Sequence, residues 1–191
     1  MRASTRPFVW KESARSLPLL LLVMCTDADD LIFHDVPADG NCLFAAVALS
    51  KALADNNPAQ MQEQAVRANA KQLRLQAMDL LCPTDDGVDP ELIMSGLPAS
   101  LIIEPLHGED EPGYCRRMRR DGQWGSTAEI LALSRLLRRE IHVHAAFGVE
   151  NYGTDEGESS GLLPLAIHFA NQHYRAVTPG KNREQPSKSE L

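Results

Sequence analysis

The sequence is poor in aromatic residues, in positive charge and in closely spaced cysteines, and each shortage closes off a class of function. Phe, Tyr and Trp make up 5% of the 191 residues, too few for the stacking platforms that hold single-stranded nucleic acid. Nineteen Lys plus Arg stand against 26 Asp plus Glu, a formal net charge of -7. Such a chain has no general excess of cations to neutralise phosphates, so nucleic acid is not an expected partner. The four cysteines, Cys25, Cys42, Cys82 and Cys115, contain no C-x-x-C pair, whereas a zinc ribbon or a disulfide scaffold needs denser spacing. Free thiols in a reducing compartment are the simplest reading, and one of them is left available for reactivity. The apolar run Leu17–Cys25 (LPLLLLVMC) has nine residues, short of the ~20 that cross a bilayer, so no stable membrane span is expected.

What is present suits one globular domain. The chain is 43% hydrophobic and 24% charged, ordinary values, and long enough to bury about two-thirds of its unfolded surface. Residues 1–30 read as a leader. Arg2, Arg6, Lys11 and Arg15 precede the apolar run as in a signal peptide, but Thr26-Asp27-Ala28-Asp29-Asp30 follows it without a small-x-small cleavage site. A buried or loosely docked leader is favoured over a weak export signal at 17–25, and a cytoplasmic location is expected. Residues 31–178 form the domain, and 179–191 a polar tail expected to be disordered.

Within the domain, Leu31–Val36 reads as a short strand closed by Pro37 and Asp39-Gly40. Residues 42–53 have helical spacing, with Leu43, Val47 and Ser50 on one side and Phe44 near it. After Asn57-Pro58, a second helix is expected over 59–81, apolar at Met61, Ala65, Ala68 and on through Leu75 to Leu80. Residues 82–112 are rich in Pro, Gly and acid and read as irregular surface chain. Order returns at Tyr114. Ser126-Thr127-Ala128-Glu129 spells a capping box for a helix to about Arg139, where cations complement the dipole. Ile141–Ala145 alternates as a half-buried strand, 148–161 reads as an acidic Gly-rich loop, and Leu165–Ala170 and Tyr174–Val177 read as strands joined tightly through His173.

The chemistry concentrates in Asp39-Gly40-Asn41-Cys42-Leu43-Phe44. A glycine turn delivers a cysteine to the first turn of a helix, where unpaired N–H groups and the dipole favour a thiolate. The same N–H groups, over Asp39, Gly40, Asn41 and Cys42, can receive an oxyanion developing beside the sulfur. The bland alternative is that Cys42 is a small buried apolar residue. A base is needed nearby, and His173, between two strands near the domain's end, is the natural one; a histidine there can equally be structural.

Together these segments resemble the ovarian-tumour (OTU) family of cysteine proteases, which are deubiquitinases. The resemblance rests on D-G-N-C-L-F at Asp39–Phe44, W-G at Trp124-Gly125 followed by E-I-L-A-L-S at Glu129–Ser134, I-H-V-H at Ile141–His144 and H-Y at His173-Tyr174, with Tyr114 and Met118 also fitting. It spans roughly residues 31–178 in matching order. It implies an α+β fold of papain type, a small twisted β-sheet flanked by helices, with Cys42 as nucleophile and His173 as general base and acid. Asp39 is counted with the active site, its loop forming part of the oxyanion hole. Trp124, Gly125 and Tyr174 are implied as scaffold around it. The implied reaction is hydrolysis of the isopeptide bond after a ubiquitin C-terminus through a Cys42 thioester, acting on ubiquitin, polyubiquitin or a ubiquitin-like modifier. It needs no metal or organic cofactor, and the chain is expected to act as a monomer.

Three departures stand out. Many relatives carry Asp or Asn two residues after the histidine to orient the imidazole, but here that residue is Arg175, which has no acceptor. Asn171, a main-chain carbonyl or Asp39 could take its place. Ser126 replaces a second glycine after W-G, and Ala45 replaces an arginine common after L-F. The rival reading is therefore a catalytically weak or inactive OTU-like ubiquitin-binding module. A further reading, a structural or redox domain, would pair Cys42 with Cys82 or Cys115.

Other candidates carry less. His142 and His144 share a strand face with His168 echoing them, a metal pair lacking further ligands in sequence, so cross-strand or solvated histidines are expected. Arg116-Arg117-Met118-Arg119-Arg120 reads as a solvated face or a set of salt-bridge donors. Cys82 and Cys115 read as structural, and Asp27, Asp29 and Asp30 lack the companions of a calcium site.

Overall fold

A computed structural model describes residues 31–82, 101–153 and 160–180. The expected leader, most of the expected tail, Cys25 and the Asp27–Asp30 cluster lie outside the described residues. The elements are β1 (Leu31–His34), α1 (Cys42–Ala54), α2 (Glu63–Leu81), α3 (Glu111–Met118), α4 (Thr127–Leu137), β2 (Ile141–Ala145), β3 (Gly148–Tyr152), β4 (Leu165–Ala170) and β5 (His173–Pro179). Five strands form one sheet in the order β1-β5-β4-β2-β3. The β2–β4 pair is parallel, and the other three pairs are antiparallel. With its helices the chain is α+β, as expected.

Helix α1 is the centre of the molecule. Its sequence CLFAAVALSKALA is apolar nearly all round, the mark of a helix enclosed on all sides. Residues Leu43 through Ala48 are all buried, with α2 on one flank and β4 and β5 on the other. Ser50, the one hydroxyl on the buried side, is accounted for: its Oγ accepts the backbone N–H of Ala166 at 3.0 Å, tying α1 to β4. Strands β2 and β4 alternate, with Ile141, Val143, Leu165 and Ile167 buried among the helices and His142, His144 and His168 on the opposite side of the pleat.

The structure corrects several expectations. Residues 59–81 are not one helix: a 3-10 turn, Pro58–Met61, ends at Gln62 in extended conformation before α2 begins. The buried face of α2 is Val66, Ala70, Leu73, Ala77 and Leu81, whereas Leu75 is 40% exposed and Ala68 is exposed. Alanine carries too little apolar area to mark a face, and the Val–Leu positions set the rotation. The segment 148–152, read as the start of a loop, is the edge strand β3, whose residues pair with β2 from Ala145↔Gly148 to Ile141↔Tyr152. Helix α4 stops at Leu137. Arg138 takes the left-handed conformation (φ 48), and buried Arg139 turns to Asp55 Oδ1 at 2.6 Å and the Leu163 carbonyl at 2.8 Å rather than serving the dipole. The expected capping-box residue does its work: Glu129 accepts the Ser126 backbone N–H at 2.7 Å.

The reading of free thiols is also corrected. Cys82 and Cys115 form a disulfide with Cα atoms 5.8 Å apart, fastening the C-cap of α2 to α3. Their pairing is a tertiary fact that spacing does not encode. A bridge across 33 residues of chain restricts the unfolded state by about 3–4 kcal/mol. Replacing both cysteines by serine is therefore expected to lower the urea midpoint by a corresponding amount. An unchanged midpoint under non-reducing conditions would mean that the bridge does not form in solution.

Candidate active site

The turn into α1 is built by its own side chains. Gly40 has φ +80, a left-handed conformation that glycine takes without cost. Asp39 Oδ1 accepts the backbone N–H of Asn41 at 3.0 Å, an Asx turn, and Asp39 Oδ2 lies 3.4 Å from Arg67 of α2. The Asp39 carboxylate thus braces the turn. The Asn41 N–H is already committed to it, which takes one donor from the four residues of the expected oxyanion hole. Asn41 is the N-cap of α1 but does not cap it with its side chain. Its Oδ1 instead accepts from Arg74 and from the Gly122 N–H at 3.2 Å. The first N–H to find an intrahelical carbonyl is that of Ala45, bonded to Asn41 O at 2.9 Å. The helix start beside Cys42 is left without a side-chain cap, the setting that favours an anion. Cys42 is 7% exposed and is the free cysteine of the described residues.

The second wall of the turn is the W-G segment. A Cβ on Gly40 would lie 2.1 Å from the Gly122 carbonyl oxygen, and one on Gly125 2.6 Å from Leu43 Cδ2. Gly40 is required by the close backbone approach of the 122–125 loop to the start of α1, whereas a Cβ at Gly125 would displace the Leu43 side chain. Trp124 itself is 61% exposed, so the loop's backbone, not its indole core packing, is the scaffold beside the turn.

His173 opens β5 opposite Ala170, which closes β4. The two residues between them, Asn171 and Gln172, have φ of 51 and 59, the double left-handed geometry of a type I′ hairpin turn whose twist matches the strands. Asn171 is exposed and its type is explained by that turn. Among the described residues no side chain hydrogen-bonds the His173 ring, which is half-buried. Strand β5 packs along α1. Tyr174 is buried in the same apolar cluster as Cys42, its ring 4.6 Å from that of Phe169. Burial drives the Tyr174 hydroxyl's pKa well above its ordinary range, with Tyr152 and Cys42 adding to it. The hairpin thus carries the residue after His173 into the apolar cluster that also holds Cys42.

Residues 37–174 match the model of the OTU-like cysteine protease family. The chain belongs to that family. It is 30% identical over 130 residues to an ovarian tumor domain-containing deubiquitinating enzyme 3 of Arabidopsis thaliana, covering 68% of this chain and 51% of the relative. It is also 30% identical over 123 residues to ubiquitin thioesterase otu2 of Schizosaccharomyces pombe, covering 62% of this chain and 34% of that protein. The chain thus spans about half, or less, of the length of these relatives. A solved OTU domain in complex with ubiquitin superposes with a TM-score of 0.53 at 19% identity, over 78% of this chain and 69% of that one.

Against that family background, Arg175 is accounted for. Its Nε lies 3.3 Å from Asp35 Oδ1, and its guanidinium sits 6.0 Å from the Phe33 ring centroid. It serves the β1–β5 edge of the OTU sheet. Of the basic cluster, Arg117 pairs with Glu109 at 2.9 Å and Arg119 with Asp79 at 2.5 Å, so these two are salt-bridge donors. His144 and His168 are register partners across β2 and β4, and His142 lies 3.2 Å from Glu140. Among the described residues no three His, Cys, Asp or Glu side chains converge as a metal site would need, and no described helix is long and apolar enough to cross a membrane.

The residue that sequence reasoning missed is Arg74. It is fully buried on α2 and holds Gly40, Asn41, Met118 and Gln123 together. The available signal was its place directly after Leu73 on the buried Val66–Ala70–Leu73–Ala77 face, where a solvated arginine would not be expected.

Proposed function

We propose that this OTU-family chain is a thiol-dependent deubiquitinase acting through Cys42 and His173. The observation that carries the reading is a free, buried cysteine at an uncapped helix start, on a turn whose carboxylate, amide and glycine are each spent on shaping it. In the reaction the Cys42 sulfur attacks the carbonyl carbon of ubiquitin's C-terminal residue, forming a C–S bond and an oxyanion. The oxyanion is received by N–H groups at the head of α1 and in the preceding turn. His173, having taken the Cys42 thiol proton, gives it to the departing lysine nitrogen as the C–N bond breaks. It then takes a proton from the water that attacks the thioester, and the C–S bond breaks to release the ubiquitin carboxylate and restore Cys42. The names of the Arabidopsis and fission-yeast relatives and the ubiquitin complex of the structural neighbour support ubiquitin as the substrate class.

The test is hydrolysis of ubiquitin bearing a fluorogenic C-terminal amide. Wild type is expected to release the fluorophore and Cys42→Ala is not. No release from a folded wild type that still binds ubiquitin would select the second reading, a ubiquitin-binding module. One observation favours that second reading: the position two residues after His173 on the same strand face is occupied by a cation already engaged with Asp35. If the missing acceptor limits an active enzyme, Arg175→Asn is expected to raise kcat by up to about tenfold with KM little changed, given the 10²–10⁴-fold typically carried by positioned acid–base groups. A fall in kcat would assign Arg175 to the fold instead.

A further inference from the structure

Arg74 buries a positive charge without a carboxylate partner. Its Nε and Nη2 donate to Asn41 Oδ1 at 3.2 and 2.8 Å, Nη2 also to the carbonyls of Gly40 at 3.0 Å and Gln123 at 2.6 Å, and Nη1 to the Met118 carbonyl at 3.1 Å. Its guanidinium carbon lies 4.2 Å from the centroid of the Phe44 ring, two residues beyond Cys42. Every hydrogen-bond acceptor is neutral. Burial depresses the Arg74 pKa, while Asp121, Glu129, Asp39 and Cys42 act in the opposite direction. Burying a cation on carbonyls alone is expensive, and a methionine would fill an apolar face of α2 more cheaply. An arginine here has a use other than stability.

Its contacts indicate that use. The planar fork meets both peptide segments that converge on the nucleophile, the Gly40–Asn41 turn and the 122–125 loop, and joins them to α3 through Met118. By taking Asn41 Oδ1 it keeps the natural N-cap side chain off the head of α1. By accepting nothing and donating to Gly40 O and Gln123 O, it turns those carbonyls toward itself. Lysine, whose three donors share one nitrogen, cannot reproduce a planar fork spread over four acceptors.

We propose that Arg74 is the positioning residue of the nucleophile turn: it holds the Asn41 side chain and the flanking carbonyls away from the head of α1, leaving that helix start open and positively polarised beside Cys42. This rests on Cys42 being the nucleophile, so the test reads Cys42 with and without ubiquitin. Iodoacetamide alkylation of Cys42, followed by peptide mass across pH, is compared among wild type, Arg74→Lys and Arg74→Gln, together with kcat and KM on fluorogenic ubiquitin and the urea midpoint of each. In Arg74→Gln the rate of Cys42 alkylation is expected to fall and kcat to fall about 100-fold with KM within about twofold. Arg74→Lys, which keeps the charge, is expected to recover part of both. If Arg74→Gln does not fold, Arg74→Lys decides: the alkylation and kcat of wild type in folded Arg74→Lys would overturn the proposal. So would a lowered midpoint in Arg74→Gln with unchanged alkylation and kcat. An altered alkylation profile in variants of a chain that never hydrolyses ubiquitin would uphold the role of Arg74 while removing the deubiquitinase reading.

Discussion

Substitution of His173 by alanine is expected to lower kcat for ubiquitin amide hydrolysis by about 10³-fold or more, while KM stays within about twofold. The expectation follows from its place rather than from its bonds. His173 is half-buried at the first position of β5, held by a two-residue hairpin turn, on the strand that packs along the helix headed by Cys42. A histidine that only stabilised the sheet would shift the unfolding midpoint and leave kcat per folded molecule unchanged. A proton carrier would do the reverse. Steady-state kinetics on the folded fraction, paired with a urea titration, separate the two. A kcat within about tenfold of wild type would remove His173 from the chemistry.

The second large effect is at Gly40. Alanine there must adopt φ +80, a strained region for a residue with a Cβ that costs about 1–2 kcal/mol. The new Cβ would also lie 2.1 Å from the Gly122 oxygen, 2.4 Å from its carbonyl carbon and 2.7 Å from its Cα. Those atoms are backbone, so the 122–125 loop must move, and with it the contacts that Asn41 and Arg74 make to Gly122 and Gln123. Gly108 provides the control, since it has the same φ of +80 with nothing within 4 Å of its missing Cβ. Gly108→Ala is expected to cost only the backbone strain. Gly40→Ala is expected to cost several kcal/mol in all and to lower hydrolysis out of proportion to its folded fraction. Equal midpoints for the two variants would mean that the close approach of the two loops is not real.

Much of the fold was legible where local chemistry and period coincide. Ile141–Ala145 and Leu165–Ala170 alternate because one side of the sheet faces the common core, and the bounds agree with the strands found. Strand β3 was not legible because GVENY is an edge strand with four exposed residues and no apolar alternation, so only its pairing with β2 makes it a strand. The rotation of α2 is not legible from its alanines, which carry too little apolar area to mark a face, and the Cys82–Cys115 bridge is not legible from spacing, because pairing depends on where α3 docks. The site divides in the same way. Asp39-Gly40-Asn41-Cys42 could be read because an Asx turn, a left-handed glycine and a helix start are all local. Arg74 shows in sequence only as a charge on the buried face of α2; its role does not, because its acceptors come from three separate stretches of chain, 40–41, 118 and 123. Asn171, an orienting residue by expectation, has another reason for its type, the left-handed hairpin turn.

The central claim is that Cys42 is a nucleophile within a site shaped for the ubiquitin tail. Incubation with ubiquitin carrying a thiol-reactive group at its C-terminus, followed by intact mass, tests it most directly. The account predicts a single stoichiometric adduct in wild type, mapped to Cys42 and absent in Cys42→Ala. A folded wild type that binds ubiquitin yet forms no adduct, or an adduct that persists in Cys42→Ala, would contradict it.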